Sequence, residues 1–178
     1  PGMKIIMIIT IVIWIRFFSQ TIVLFLIFFP FIKTKLVTHS LYLHISRGVC
    51  LFFAALFFFI GFTKTDLANA TAIYKTSPIF LTLGSIFFLK ETNFLVIKFL
   101  TVFLALIGAL IIINPSSSSF SIYSFFPLFA AISLAIFGLI TRYFGERENP
   151  LTSIIYTALT GTILSSFLFP FFDWKPFV

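Results

Sequence analysis

Residues 99–141 read FLTVFLALIGALIIINPSSSSFSIYSFFPLFAAISLAIFGLIT, and no charged side chain occurs from Phe99 to Thr141. That is about twice the roughly 20 apolar residues a helix needs to cross a bilayer core. Asn114-Pro115 and the serines that follow break the run near its middle, because proline cannot continue a helix and serine favours polar turns. The stretch therefore predicts two membrane-spanning helices, 94–114 and 122–143, joined by a short polar connection. A second charge-free run, Asn149 to Phe172, predicts another.

The rest of the chain is of the same kind. Hydrophobic residues make up 60% and charged residues 10% of the 178, with a mean hydropathy of +1.17, whereas a soluble domain carries about 25% charge. Such a composition leaves no solvated surface. Lipid tolerates only helices and closed barrels, which satisfy their own backbone hydrogen bonds. Barrel strands alternate apolar and polar residues, yet Leu51 to Ile60 (LFFAALFFFI) is apolar on every face. The predicted fold is all-α, a polytopic transmembrane helix bundle with spans near 5–32, 48–63, 67–89, 94–114, 122–143 and 150–171. Arg16 interrupts the first of these, but neither side alone is long enough to cross, so one helix carries the arginine inside it. The rival reading of this segment, a signal peptide beginning at Met3-Lys4, lacks a small-residue cleavage site.

Lysine and arginine set the orientation. Lys33, Lys35, Arg47, Lys90, Lys98, Arg142 and Arg147 fall on one side, and Lys4, Lys64 and Lys175 on the other. The positive-inside rule puts the larger set in the cytoplasm. Pro1 is then outside, which predicts a preceding helix. Sliding the sequence by 140 residues aligns Ile15, Leu24, Phe29, Pro30 and Phe31 with Ile155, Leu164, Phe169, Pro170 and Phe171. The two helices so related run in opposite directions, as inverted repeats of secondary transporters do. The net charge of +7 does not point to nucleic acid, because the basic residues punctuate hydrophobic spans and form no patch. Cys50, the single cysteine, has no intrachain disulfide partner and reads as a buried thiol.

The segment 67–89 is the richest in chemistry. Thr71, Lys75, Pro78, Thr82 and Ser85 share one helix face by spacing, while Ile73, Phe80, Leu83 and Phe87 look elsewhere. Close helix packing is the bland account of that face, above all for Thr82 and Ser85. Lys75 resists it, since a lysine within a span costs about 2.5–3.5 kcal/mol on insertion scales and should face protein, water or a partner. Pro78 has no amide to bond the Tyr74 carbonyl, so a kink is expected beside Lys75. Arg16, with Ser19 and Gln20 a turn on, is the second intramembrane cation and is expected at similar depth to Lys75. Its alternative is snorkelling to the headgroups. Neither cation has a carboxylate at its own depth, which suggests an anionic solute or an acid on a further helix. Ala105, Gly108 and Ala109, and Ala131 with Ala135, read as packing seams. His39 and His44 read as interfacial residues of the cytoplasmic connection. No metal site, P-loop, nucleophile-base pair or paired carboxylate is visible, so no enzyme and no cofactor is expected.

Asp66 to Phe80 (DLANATAIYKTSPIF), Phe88-Leu89-Lys90-Glu91 and Gly108 to Pro115 (GALIIINP) together resemble the EamA-type drug/metabolite transporter superfamily, and the likeness extends along nearly all of the chain. The helix around Arg16 and the Arg47-Gly48 entry to the next look similar too. The resemblance implies ten helices in two inverted five-helix repeats. Residues 1–115 would then hold the end of the first repeat and 122–178 the start of the second, with the visible spans the second to seventh. It further implies alternating-access transport of a small metabolite in the bacterial inner membrane. Lys75, Arg16, Tyr74, Thr71, Pro78, Thr82 and Gln20 become candidate substrate contacts, and Glu91, Gly108 and Arg47 structural or gating positions. Lys90 stands where the family usually has glycine, and Lys75 where it more often has an uncharged residue. The partners implied are the lipid bilayer and a small-molecule solute, with no nucleic acid and with a homodimer left open. A non-transporting membrane subunit, whose polar faces are packing interfaces, is the second reading.

Overall fold

A computed structural model of the chain describes residues 2–29, 38, 40–90, 95–113, 122–144 and 149–168. Its elements are α1 (Gly2–Phe28), α2 (Leu41–Phe62), α3 (Leu67–Tyr74), α4 (Ser77–Phe88), α5 (Leu95–Ile113), a 3-10 turn (Ile122–Ser124), α6 (Phe125–Phe144) and α7 (Pro150–Leu168). No strand occurs among the described residues, so the all-α bundle predicted from composition is what forms. The segments Met7–Phe28, Leu41–Phe62, Ile122–Tyr143 and Pro150–Leu168 are each long and apolar enough to cross a membrane. Polarity runs inside out. Leu26, Phe87, Phe88 and Val96 are each at least 74% exposed, while His44, Ser85, Thr152 and Ser165 are at 1% or less. Water would penalise that arrangement and lipid favours it.

The helices gather into two compact units, one of residues 1–52 and 147–178 and one of residues 53–146. In the first, α1 packs along α7. Lipid tails are as apolar as leucine, so packing depends on close approach and interhelical hydrogen bonds, and both are present. Gly161 is buried against the ring of Phe17, itself fully buried. Trp14 Nε1 donates to Ser166 Oγ at 3.0 Å, and the hydroxyls of Thr21 and Thr162 meet at 2.9 Å. Residues rising along α1 thus meet residues falling along α7, the antiparallel relation that the charge count assigned.

In the second unit, Phe57 lies among Phe126 and Phe129 with centroids 6.5 and 6.0 Å away, and Gly61 faces the Pro127 ring. Ala131 and Ala135 are buried, at 0% and 3%, as expected of a seam. α4 packs on α6, with Gly84 against Leu139 and Gly138 against Leu81.

Two element boundaries differ from expectation. α2 begins at Leu41, not at 48, because Ser40 supplies its first turn: the amides of Leu43 and His44 bond the Ser40 carbonyl at 3.0 and 3.3 Å. The Ser40 amide in turn bonds Thr38 Oγ1 at 3.1 Å. Arg47 looked like a boundary charge but sits within the helix, buried at 8%. His44, expected at the interface, is helical and fully buried; His39 lies outside the described residues. The predicted span 67–89 is two helices, interrupted at Lys75-Thr76.

α4 ends through Lys90, whose φ of 53° places a non-glycine residue in the left-handed region. This is the position at which the family resemblance called for glycine, the residue that adopts this conformation without a Cβ clash. Lys90→Gly is therefore expected to stabilise the protein by up to about 1 kcal/mol, seen as a higher unfolding temperature in detergent.

Candidate functional site

The break between α3 and α4 follows from local chemistry. Lys75 and Thr76 keep helical φ of −69° and −75°, but their ψ flattens to −5° and −6°. The Thr76 amide accordingly reaches back three residues to the Ile73 carbonyl at 3.0 Å, and its hydroxyl donates to the same carbonyl at 2.6 Å. Pro78 sits in the first turn of α4, where its missing amide costs least. A span that stops and restarts in this way is opened by proline and resealed by threonine.

Beside the break lies a cleft of about 750 Å³ lined by Leu67, Ala68, Thr71, Ala72 and Lys75 of α3 and by Ala105 and Gly108 of α5. Its walls are small and apolar; Lys75, exposed, and the Thr71 hydroxyl supply its polarity. Ala105 and Gly108 were expected to be a packing seam, and this is corrected. A Cβ added at Gly108 meets nothing within 4 Å, whereas one at Gly61, Gly84 or Gly138 runs into Pro127, Leu139 or Leu81. The side chain of Ala109 is not described.

Other candidates fall elsewhere. Tyr74 is half-buried with its ring 4.8 Å from Phe58. Thr82 donates to the Pro78 carbonyl at 2.8 Å, and Ser85, fully buried, to the Thr82 carbonyl at 2.9 Å. Their hydroxyls bond within their own helix. The interruption at 75–76 explains why: a face read by helical spacing is continuous only along a continuous helix. Pro78 is exposed. Arg16 and Gln20 belong to the first unit, Arg16 exposed with its guanidinium 5.7 Å from the Phe17 ring centroid and Gln20 half-buried. Arg47 is buried in that same unit. Glu91 lies outside the described residues. Asp66 is the one carboxylate residue among the described residues, and it caps the far end of α3 from Lys75.

Sequence reasoning missed a second polar cluster in the first unit, made by His44, Thr38, Ser153 and Tyr156. Its members come from positions more than a hundred residues apart in the chain, so no local spacing announces it.

These features define a multi-pass α-helical membrane protein with an interrupted span bordering a lysine-bearing cleft. Among known proteins, the chain is similar to the S-adenosylmethionine uptake transporter of Rickettsia felis, 29% identical over 150 residues, which is 84% of this chain and 51% of that protein. The protein of the same name from Rickettsia prowazekii is 27% identical over the same shares. The riboflavin transporter of Brucella anthropi is 31% identical over 126 residues, 71% of this chain and 44% of that protein. The chain thus spans about half the length of the curated relatives it matches. No family profile matches it, and no solved structure does. The relatives are all named as transporters of small metabolites, which agrees with a chain that is not an enzyme.

Proposed function

We propose that the gene product is a secondary-active transporter of a small metabolite, of the EamA-type drug/metabolite class, working by alternating access in the bacterial inner membrane. The observation that carries this reading is the cleft beside the interrupted span, where, among the described residues, a lysine stands in mostly small, apolar walls and no carboxylate lines the cleft. Interrupted helices are where transporters hold solutes. Lysine within a membrane domain is retained where it meets water, a counter-charge or a cargo.

Lys75 contacts an anionic group of the solute in this reading. Thr71 adds a hydrogen bond, Gly108 and Ala105 leave room for its apolar part, and Pro78 provides the break. Arg16, with Gln20, is a second cation for the same class of solute, and Tyr74, Thr82, Arg47 and Glu91 position or gate. The two names among the relatives differ in a useful way. S-adenosylmethionine carries a carboxylate for an ammonium to bind, and riboflavin is uncharged near neutral pH. Lys75 thus favours a carboxylate-bearing, amino-acid-like solute.

The test is uptake of radiolabelled S-adenosylmethionine and of riboflavin by cells expressing the gene product, together with labelling of a Lys75→Cys variant in a Cys50→Ala background. Saturable S-adenosylmethionine uptake and reaction of position 75 with a membrane-impermeant thiol reagent are expected. A protein that moves neither solute nor related amino acids, and that co-purifies with a fixed partner, would be a non-transporting subunit. A position 75 unreactive in intact, inserted protein would remove Lys75 from the site.

A further inference from the structure

His44 lies in the first turns of α2, in the first unit, at 0% exposure. Its Nε2 is 3.0 Å from Thr38 Oγ1, and its Nδ1 is 3.3 Å from Ser153 Oγ on α7. The ring stacks on Tyr156, with centroids 5.4 Å apart and 15° between planes. Among the largest fully buried side chains, His44 is the one with an ionisable ring. A phenylalanine would stack on Tyr156 equally well, and a polar ring within a span is costly unless it is used.

The chemistry of the two partners is what singles the site out. Neutral imidazole offers one donor and one acceptor, imidazolium offers two donors, and a hydroxyl either donates or accepts. When a proton reaches the accepting nitrogen, the hydroxyl that had donated to it reverses and accepts from the new N–H. Helical serines commonly donate to a carbonyl three or four residues back, which gives the hydrogen of a reversed Ser153 hydroxyl an acceptor. One proton is gained and neither bond to the ring is lost. An ionised carboxylate, which only accepts, could not bond the unprotonated nitrogen.

Among the described residues, the charged and titratable groups on the helices that carry His44 and Ser153 are few. On α7, from Pro150 to Leu168, Tyr156 is the one titratable side chain. On α2, Arg47 is a turn away and buried, and Tyr42 is exposed. α1 brings Arg16 over Phe17, and Phe17 meets Phe52 at 6.4 Å, about 12 Å along α2 from His44 at about 1.5 Å per residue. The His44–Ser153 bond also joins α2 to α7.

We propose that His44 is the proton-carrying residue of this transporter, protonated in one state of its cycle and neutral in another, so that solute movement is coupled to proton flux. This rests on the transport reading given above. The experiment uses the gene product in proteoliposomes with radiolabelled S-adenosylmethionine. In wild type, an imposed gradient of about one pH unit should change accumulation up to about tenfold, the limit for one proton per solute. His44→Gln, which keeps one donor and one acceptor, should retain tracer exchange at equal pH on both sides and lose the response to the gradient. Ser153→Ala, which removes one partner only, should weaken that response with exchange intact, and serves if His44→Gln fails to insert. A second measurement needs no solute: nuclear magnetic resonance of the imidazoles, of which the chain has 2, should show a resonance absent from His44→Gln whose protonation state changes with the pH of the medium. An imidazole at position 44 that keeps one protonation state, or a gradient response that survives His44→Gln, overturns the proposal alone. Wild-type protein that exchanges no solute overturns the transport reading and the coupling role with it.

Discussion

Lys75→Ala should raise the KM for S-adenosylmethionine about tenfold while leaving riboflavin transport, where present, unchanged. A hydrogen bond to a charged group contributes about 1.5–3 kcal/mol. The lower part of that range applies because the cleft is open and solvent screens the ammonium. Lys75→Arg should recover part of the loss, since charge is kept while the planar fork replaces a compact ammonium. The initial rate of uptake against solute concentration is the measurement. An equal loss for charged and uncharged solutes would assign the lysine to folding or insertion, because a purely electrostatic contact has nothing to hold on an uncharged molecule.

The second large effect is expected at Gly108. Gly108→Phe should lower transport at least about tenfold without harming the fold. A side chain there extends into the cleft, where no atom stands within 4 Å of its Cβ, so insertion and detergent stability should match wild type. Steric exclusion in a binding site commonly costs about 1–3 kcal/mol or more. Gly61→Phe is the matched control. Its Cβ would collide with the ring of Pro127, which is fully buried in the first turn of α6 and has no rotamer to give, so this variant should lose stability and expression. If Gly108→Phe behaves like Gly61→Phe, the space beside Gly108 is closed by packing and is not a binding cleft. A fluorescence size-exclusion profile and the uptake assay together decide.

Much of the architecture was legible before any coordinates. The charge-free stretch Phe99 to Thr141, cut at Asn114-Pro115, dictated paired spans, because the bilayer imposes a length on helices and proline imposes a break. Pro78 announced the interruption next to Lys75 for the same reason: a missing amide is a property of one residue and needs no partner. The left-handed turn at Lys90 was not legible from its own residues; only the family resemblance set glycine at that position. The start of α2 was not legible either. Arg47 and His44 were taken for surface residues because charge and polarity usually mark span ends. The enclosure of His44 depends on Thr38 in the turn before the helix and on Ser153 and Tyr156 far along the chain.

The sequence by itself determined that this chain is a multi-pass α-helical membrane protein, and that a lysine and a proline stand three residues apart where a helix is disturbed. These are consequences of composition and of covalent geometry, which act residue by residue. Tertiary structure alone decided that Gly108 opens a cleft while Gly61, Gly84 and Gly138 close contacts, that Ser85 turns inward from a face whose other members do not, and that His44 is enclosed by two hydroxyls. The reason is that small and polar residues have the same local signature whether they meet a neighbouring helix or empty space. Only the position of the second helix tells the two apart.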